Sequence, residues 1–139
     1  MPVTFKILPR RNLALFTYSG MVGLQESMEV VAAATNHPDY RPTMRQLCDL
    51  SRVTGVERDY LALLRMQAKI VESLYTPESE LVVLFYAPQR AGREMAQMAR
   101  KSWEGLNSVL VLILDREAQA LAVLGLPEMS LQALADLHA

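Results

Sequence analysis

The sequence is poor in the residues that form covalent crosslinks and metal centres. It contains one cysteine, Cys48, and two histidines, His37 and His138. A single thiol excludes an intrachain disulfide, and this count and spacing exclude a Cys/His zinc site. A chain of this size buries roughly two thirds of its unfolded surface, which is enough for a core without such crosslinks. We therefore expect a domain with no metal and no cofactor, in a reducing cytoplasm.

Long apolar runs and an excess of charge of one sign are also missing. No run approaches the roughly 18 apolar residues that a membrane span requires, and the start, MPVTFKILPRR, lacks the apolar segment of a signal peptide. Lys+Arg 14 against Asp+Glu 15 gives a net charge of −1. Nucleic-acid binding typically needs a basic excess on one face. These absences predict a cytoplasmic protein with neither a membrane span nor a nucleic-acid partner.

Catalytic motifs are not visible either. The chain has 6 glycines, and none lies in a G-x-G-x-x-G or P-loop setting. A nucleophile elbow, a metal triad and a carboxylate paired with a base are all missing from the pattern. We therefore predict that the chain is not an enzyme and has no catalytic residues.

The β-prone segments indicate a mixed sheet. Residues 4–8 and 13–18 flank a short polar turn, which favours an antiparallel hairpin. A third strand is predicted over 44–50. Two later runs, LVVLFYA at 81–87 and VLVLIL at 109–114, show no polar alternation, so we expect both to be central strands covered on both faces.

Helical periodicity fills the segments between and after these strands. It predicts helices over 22–35, 58–75, 91–103, 116–124 and 130–137, with Asp115 capping the fourth. The apolar arc of 58–75 is wider than a sheet-facing stripe requires, so part of it should meet a neighbouring helix or another subunit. The order is ββαβαβαβα, an α/β fold in which an N-terminal hairpin and parallel central strands are flanked by helices. We expect one domain over 1–139, with its core at about 3–125 and a helical tail at 126–139.

Two motifs resemble a known family. Residues 49–54, Asp-Leu-Ser-Arg-Val-Thr, resemble the D-L-S-x-V-T element of STAS domains, the sulfate-transporter and anti-sigma-factor-antagonist group. Residues 115–124, DREAQALAVL, resemble the acidic cap and Ala/Leu-rich helix of the SpoIIAA-like branch, often called STAS/SEC14-like. The resemblance implies a single SpoIIAA-like (STAS-like) fold and a role in bacterial regulation through a protein partner.

The chain departs from the antagonists at their regulatory serine. There the element continues into D-S-S-G-L, whose second serine is phosphorylated by the partner kinase. Here the matching residues 57–61 read Glu-Arg-Asp-Tyr-Leu, so Asp59 stands where that serine would be. A carboxylate is not a substrate for a serine kinase. Asp59 instead resembles a permanently charged mimic of the phosphorylated state, and the dipole of a following helix favours an acid there.

The candidate site is the predicted turn from the third strand into the second helix. The residues predicted to contact a partner are Asp49, Ser51, Arg52, Thr54, Glu57, Arg58 and Asp59. Arg90 and Arg93 are predicted to contact an anion or the partner, because a cation at a helix N-terminus is disfavoured by the dipole.

Each of these residues also has a purely structural interpretation. Asp49 would hydrogen-bond the local backbone, Glu57 and Asp59 would cap the helix, and the arginines would be solvated. Ser51 and Thr54 would be turn hydroxyls, and whether either takes a phosphate stays open. Cys48 is expected to be a buried structural thiol.

Three functional classes follow. The leading one is a non-catalytic protein-interaction module that resembles anti-sigma-factor antagonists. The second is a domain that binds a small apolar, lipid-like ligand, suggested by the SEC14-like resemblance and by the methionines of the helices. The third is a homo-oligomer, such as a homodimer, with the arc of 60–75 as its interface.

Overall fold

The computed structural model describes residues 3–56, 59–76, 80–128 and 130–137, except for the side chains of Tyr60 and Leu63. The strands are β1 (Val3–Leu8), β2 (Leu13–Val22), β3 (Arg45–Val56), β4 (Leu81–Tyr86) and β5 (Val109–Leu114). The α-helices are α1 (Leu24–Thr35), α2 (Tyr60–Leu74), α3 (Arg90–Ser102), α4 (Glu117–Val123) and α5 (Leu131–Ala135). The predicted order ββαβαβαβα is confirmed. No helix among the described residues is long and apolar enough to cross a bilayer.

The five strands form one mixed sheet in the order β1-β2-β3-β4-β5. β1 pairs antiparallel with β2, and each later pair is parallel. Pro9 begins the short turn of the hairpin, and Asn12 closes it in the left-handed conformation with φ 51°. The predicted hairpin and parallel strands are therefore both confirmed.

The sheet is covered by helices on both faces. Along β2, Ala14 and Phe16 join a cluster that contains residues of α1, α2 and α3. Leu13 and Leu15 alternate with them and join a second cluster that contains residues of α4 and α5. This period of two is what an extended strand between two helical layers requires.

The chain after residue 125 contributes to the second cluster. Leu126, Leu131 and Leu134 are buried there against the sheet. Lys6 of β1 donates hydrogen bonds from its ammonium group to the carbonyl oxygens of Ala135 and Leu137. The described part of segment 126–137 therefore packs on the sheet through both apolar and polar contacts.

The two apolar strands differ in their positions. β4 lies between β3 and β5, and its residues Leu81, Val83 and Leu84 are buried, as predicted. β5 lies at the edge of the sheet, and Leu110 is 55% exposed. The prediction that β5 is a second central strand is therefore wrong. The chain after β5 turns into α4 and α5, so no further strand among the described residues covers its outer side.

β3 is longer than the sequence pattern indicated. Beyond Asp49, its last residue paired with β4, β3 continues along β2 as far as Val56. Two register shifts, each with one extra residue in β3, accompany this extension. The predicted strand end at Leu50 is wrong because β2 also continues, through Gly20 with φ 67°, and supplies a pairing partner.

The helix ends agree with the predictions in part. The helix predicted to be capped by Asp115 begins at Glu117, with Arg116 at the N-cap position and no capping side chain among the described residues. That cap prediction is wrong. On α2, Met66 and Leu74 are buried, and the helix contacts both α1 and α3. The prediction that part of its wide arc meets a neighbouring helix is confirmed.

Candidate functional site

Asp49 and Ser51 form the polar centre of the predicted site. Oδ1 of Asp49 accepts hydrogen bonds from the Ser51 backbone N–H at 3.0 Å and from its hydroxyl at 2.6 Å. Asp49 is buried, and its carboxylate stabilises the first register shift of β3. The prediction that Asp49 hydrogen-bonds the local backbone is confirmed.

Tyr86, at the end of β4, is near several carboxylates. It was not among the residues predicted from the sequence. It pairs with Asp49 across β3 and β4. Burial, followed by the charges of Glu117, Asp49 and Asp115, raises the pKa of its hydroxyl. Tyr86 ends β4, Asp115 and Glu117 follow β5, and Asp49 is the last residue of β3 that pairs with β4.

The carboxylates around Tyr86 do not form a metal site. Glu117 is engaged in the protein itself, since it accepts a hydrogen bond from the Leu131 N–H at 2.6 Å and so joins α4 to α5. Throughout the described ranges, no group of three His, Cys, Asp or Glu residues has the arrangement to hold a metal ion.

Ser51, Arg52 and Thr54 lie within β3 and not in a turn. This corrects their predicted location. The Arg52 guanidinium reaches the other end of the chain, where it donates to Oε1 of Gln132 in α5 at 3.1 Å. Thr54 is exposed. Glu57 and Arg58, which belong to the predicted partner surface, lie outside the described residues.

Asp59 caps α2. Its Oδ1 accepts a hydrogen bond from the Ala62 N–H at 3.1 Å, which satisfies one of the free donors of the first turn. The side chain is exposed, so its charge also faces solvent. The capping interpretation is confirmed for Asp59.

Two leucines that follow Asp59 on α2 are exposed. Leu61 is 60% and Leu64 is 50% exposed, and their spacing of three places them on one face of the helix. We call these two residues the α2 patch. On β2, Met21 is 64% exposed and lies beside its partner Gly55 in β3. Met21, Leu61 and Leu64 are three of the five exposed large apolar side chains in the described part of the chain.

An open groove of about 600 Å³ runs between α1 and α2. Leu24, Met28 and Ala32 form one wall, and Ala62 and Met66 form the other. Its polar rim consists of Gln25, Glu29, Arg65 and Lys69. We call this feature the α1–α2 groove. Neither leucine of the α2 patch lines the groove; Leu61 precedes its rim residue Arg65 by one helical turn, and Leu64 lies further round the helix.

Arg90 and Arg93 lie on the first turn of α3, and both find partners within the chain. Nε of Arg90 lies 3.2 Å from a carboxylate oxygen of Glu94, and both side chains are largely exposed. Arg93 donates to the Pro88 carbonyl at 3.0 Å. Between them, Gly92 lies against the backbone of Leu50, so this turn adjoins Asp49 and Ser51. The structure therefore brings these cations beside that pair but not into contact with its carboxylate.

Cys48 is a buried thiol, as predicted. It is 7% exposed, and burial, with a smaller effect of the Asp49 charge, raises its pKa to about 12. A thiol in this state is a weak nucleophile because the thiolate is the reactive form. Cys48 therefore acts as a small apolar residue of the core.

Comparison with known proteins adds no family. A scan against family models found no match, and a search of curated proteins found no significant match either. The likeness to STAS domains therefore stays a prediction.

Proposed function

We propose that this chain is a non-catalytic protein-interaction module with a SpoIIAA-like fold, which binds a regulatory protein through the α2 patch and the α1–α2 groove. The observation that carries the proposal is the exposure of Leu61 and Leu64, at 60% and 50%, on the same helix that forms one wall of an open apolar groove. Exposed large apolar side chains and an apolar groove with a polar rim are both typical of interfaces.

The shape of the groove favours a helical partner segment. Amphipathic helices bind by laying apolar residues at i, i+3, i+4 and i+7 into a groove. Complete burial of a leucine contributes about 1.5–3 kcal/mol, so covering the exposed half of Leu61 and Leu64 would add about 1 kcal/mol each. The rim cations Arg65 and Lys69 favour carboxylates on that segment.

The permanent charge of Asp59 supports an interaction that does not depend on phosphorylation. It occupies the position at which the antagonists carry their phosphorylated serine. Its carboxylate caps α2 and remains exposed, so the negative charge is present without a kinase. We therefore expect the partner to bind without a phosphorylation cycle.

The proposal is tested with a charge placed in the α2 patch. Tagged wild type is compared with Leu61→Asp/Leu64→Asp in extracts of the native cell, by quantitative mass spectrometry and then with the purified partner. Val123→Asp is the matched control, because Val123 is 51% exposed on α4, on the other face of the sheet. The double variant should lose at least tenfold in partner affinity, and the control should bind as wild type. Identical captured proteins for all three would exclude the α2 patch as the interface.

The alternative of a small apolar ligand draws support from a different feature. An enclosed cavity lies between the sheet and α1, α2 and α3, away from the exposed leucines.

A further inference from the structure

The enclosed cavity lies inside the first core cluster. Its volume is about 40 Å³, room for one or two water molecules. Its wall is rich in aromatic and sulfur-containing side chains: Phe16, Tyr18, Cys48, Met66, Phe85, Met95 and Trp103. Such a wall suits an aromatic ring, because ring edges and faces and thioether sulfurs all pack well against one.

One polar group in this wall lacks a partner. Gln46 of β3 lines the cavity and is only 1% exposed. Its Nε2 donates to the Met44 carbonyl at 3.1 Å, but its Oε1 accepts no hydrogen bond within the described ranges. Buried amide oxygens in native proteins are nearly always paired. Oε1 is therefore an acceptor for a donor in the cavity, and the nearby Tyr40 hydroxyl, which is also unpaired, is the competing donor.

Met66 lies between the cavity and the α1–α2 groove. Its side chain lines both the enclosed cavity and the α1–α2 groove. Methionine is unbranched, with several rotatable bonds, so it changes conformation at little cost. A rotation of Met66 away from the sheet would join the small cavity to the much larger groove, which provides both an entrance and additional volume.

We propose that this site binds a small aromatic molecule with one hydrogen-bond donor, of the indole or phenol class, which enters past Met66 and donates to Oε1 of Gln46. A benzene-sized ligand needs a cavity of about 150 Å³, so the ligand occupies the space that Met66 vacates together with the existing cavity. The site goes beyond the proposed protein interaction, because its contacts are in the interior and not on the α2 patch.

Two isosteric probes test the proposal. Indole and benzofuran have almost the same shape, but only indole carries an N–H donor. Titration of the purified protein, followed by calorimetry and by NMR, should show indole bound about tenfold more tightly than benzofuran, the ratio expected for one hydrogen bond. Gln46→Leu should bind both probes equally. Met66→Ala should bind both several-fold more tightly and keep the preference for indole.

Several outcomes would overturn the proposal. One is the absence of indole binding to both wild type and Met66→Ala at millimolar concentration, and another is an unchanged preference in Gln46→Leu. A third concerns Tyr40, whose buried hydroxyl is also unpaired and lies near the Gln46 amide. A preference for indole that appears only in Tyr40→Phe would mean that Tyr40 already satisfies Gln46. If Gln46→Leu does not fold, the ratio of indole affinity to benzofuran affinity in wild type and in Met66→Ala tests the proposal instead. Leu61→Asp/Leu64→Asp should bind the probes as wild type, which separates this site from the protein interface.

Discussion

Gly92 of α3 lies directly against the carbonyl oxygen of Leu50 in β3. A Cβ atom on Gly92 would come within 2.8 Å of that oxygen and 3.1 Å of the Leu50 Cβ. The helix approaches the strand this closely only because position 92 has no side chain. The contact holds the first turn of α3, with Arg90 and Arg93, beside the segment that contains Asp49 and Ser51.

Replacing Gly92 should therefore destabilise the protein. Glycine to alanine in a helix interior normally stabilises by about 1 kcal/mol. Here we expect Gly92→Ala to lower the free energy of unfolding by about 1–3 kcal/mol, because backbone must move to relieve the overlap. Urea unfolding measures the change.

Gly55→Ala is the control for this prediction. Its added Cβ would meet Cε of Met21 at 3.1 Å, the end of a flexible and exposed side chain, so we expect little loss of stability. A Gly92→Ala protein as stable as wild type would show that α3 and β3 are not in this contact.

The two roles of Asp59 can be separated by substitution. Asp59→Ala removes the acceptor for the Ala62 N–H, so α2 should lose about 1 kcal/mol of stability. Asp59→Ser keeps a capping oxygen and removes the charge, so its melting temperature should stay near that of wild type. If a partner contacts this charge, Asp59→Ser should bind that partner more weakly than wild type does, as measured by calorimetry. Equal partner affinity of Asp59→Ser and wild type would limit Asp59 to capping.

Burial of Cys48 predicts a loss of stability at alkaline pH. The pKa of this thiol rises from an ordinary value of 9.0 to about 12. Above pH 9 the unfolded chain releases the proton while the native chain keeps it, so the unfolded state is favoured as pH rises towards 12. The slope approaches about 1.4 kcal/mol per pH unit. Buried tyrosines such as Tyr18, whose pKa is also raised, add to this loss only from about pH 10.

Cys48→Ala separates the thiol from the tyrosines. Urea unfolding of the variant should show a smaller decline in stability between about pH 8.5 and 10 than wild type, whatever its stability at neutral pH. The same decline in both proteins would mean that Cys48 is accessible to hydroxide in the native state.

Local patterns explain why the element order was predictable. The hairpin depends on a short turn that begins with Pro9, and the helices depend on apolar spacing within one segment. The extension of β3 depends instead on a second segment, since residues beyond Leu50 stay extended only because β2 continues beside them. The run VLVLIL does not show that β5 lies at an edge, because a central strand and an edge strand can have the same apolar sequence.

The candidate site was predictable to a similar degree. Asp49, Ser51 and Asp59 make the local hydrogen bonds that their types and spacing favour. Tyr86 and Gln46 were missed because their surroundings come from strands and helices distant in sequence. The exposure of Leu61 and Leu64 was equally hidden, since helical periodicity gives an apolar arc but not the part that its neighbours leave uncovered.

The edge position of β5 predicts self-association at high protein concentration. Its six residues are all apolar, and it carries none of the charged residues or prolines that protect most edge strands. A second copy could pair antiparallel with β5 about Val111, which would place Leu112 of one chain opposite the exposed Leu110 of the other and extend the sheet.

We expect Leu110→Lys to abolish this association, because the lysines of the two copies would then lie between the paired β5 strands. Light scattering over a concentration series measures it, with Val123→Lys as a control of similar exposure on a helix. If both variants reduce association equally, general surface hydrophobicity and not the β5 edge is the cause; if wild type stays monomeric throughout, the edge does not pair with itself.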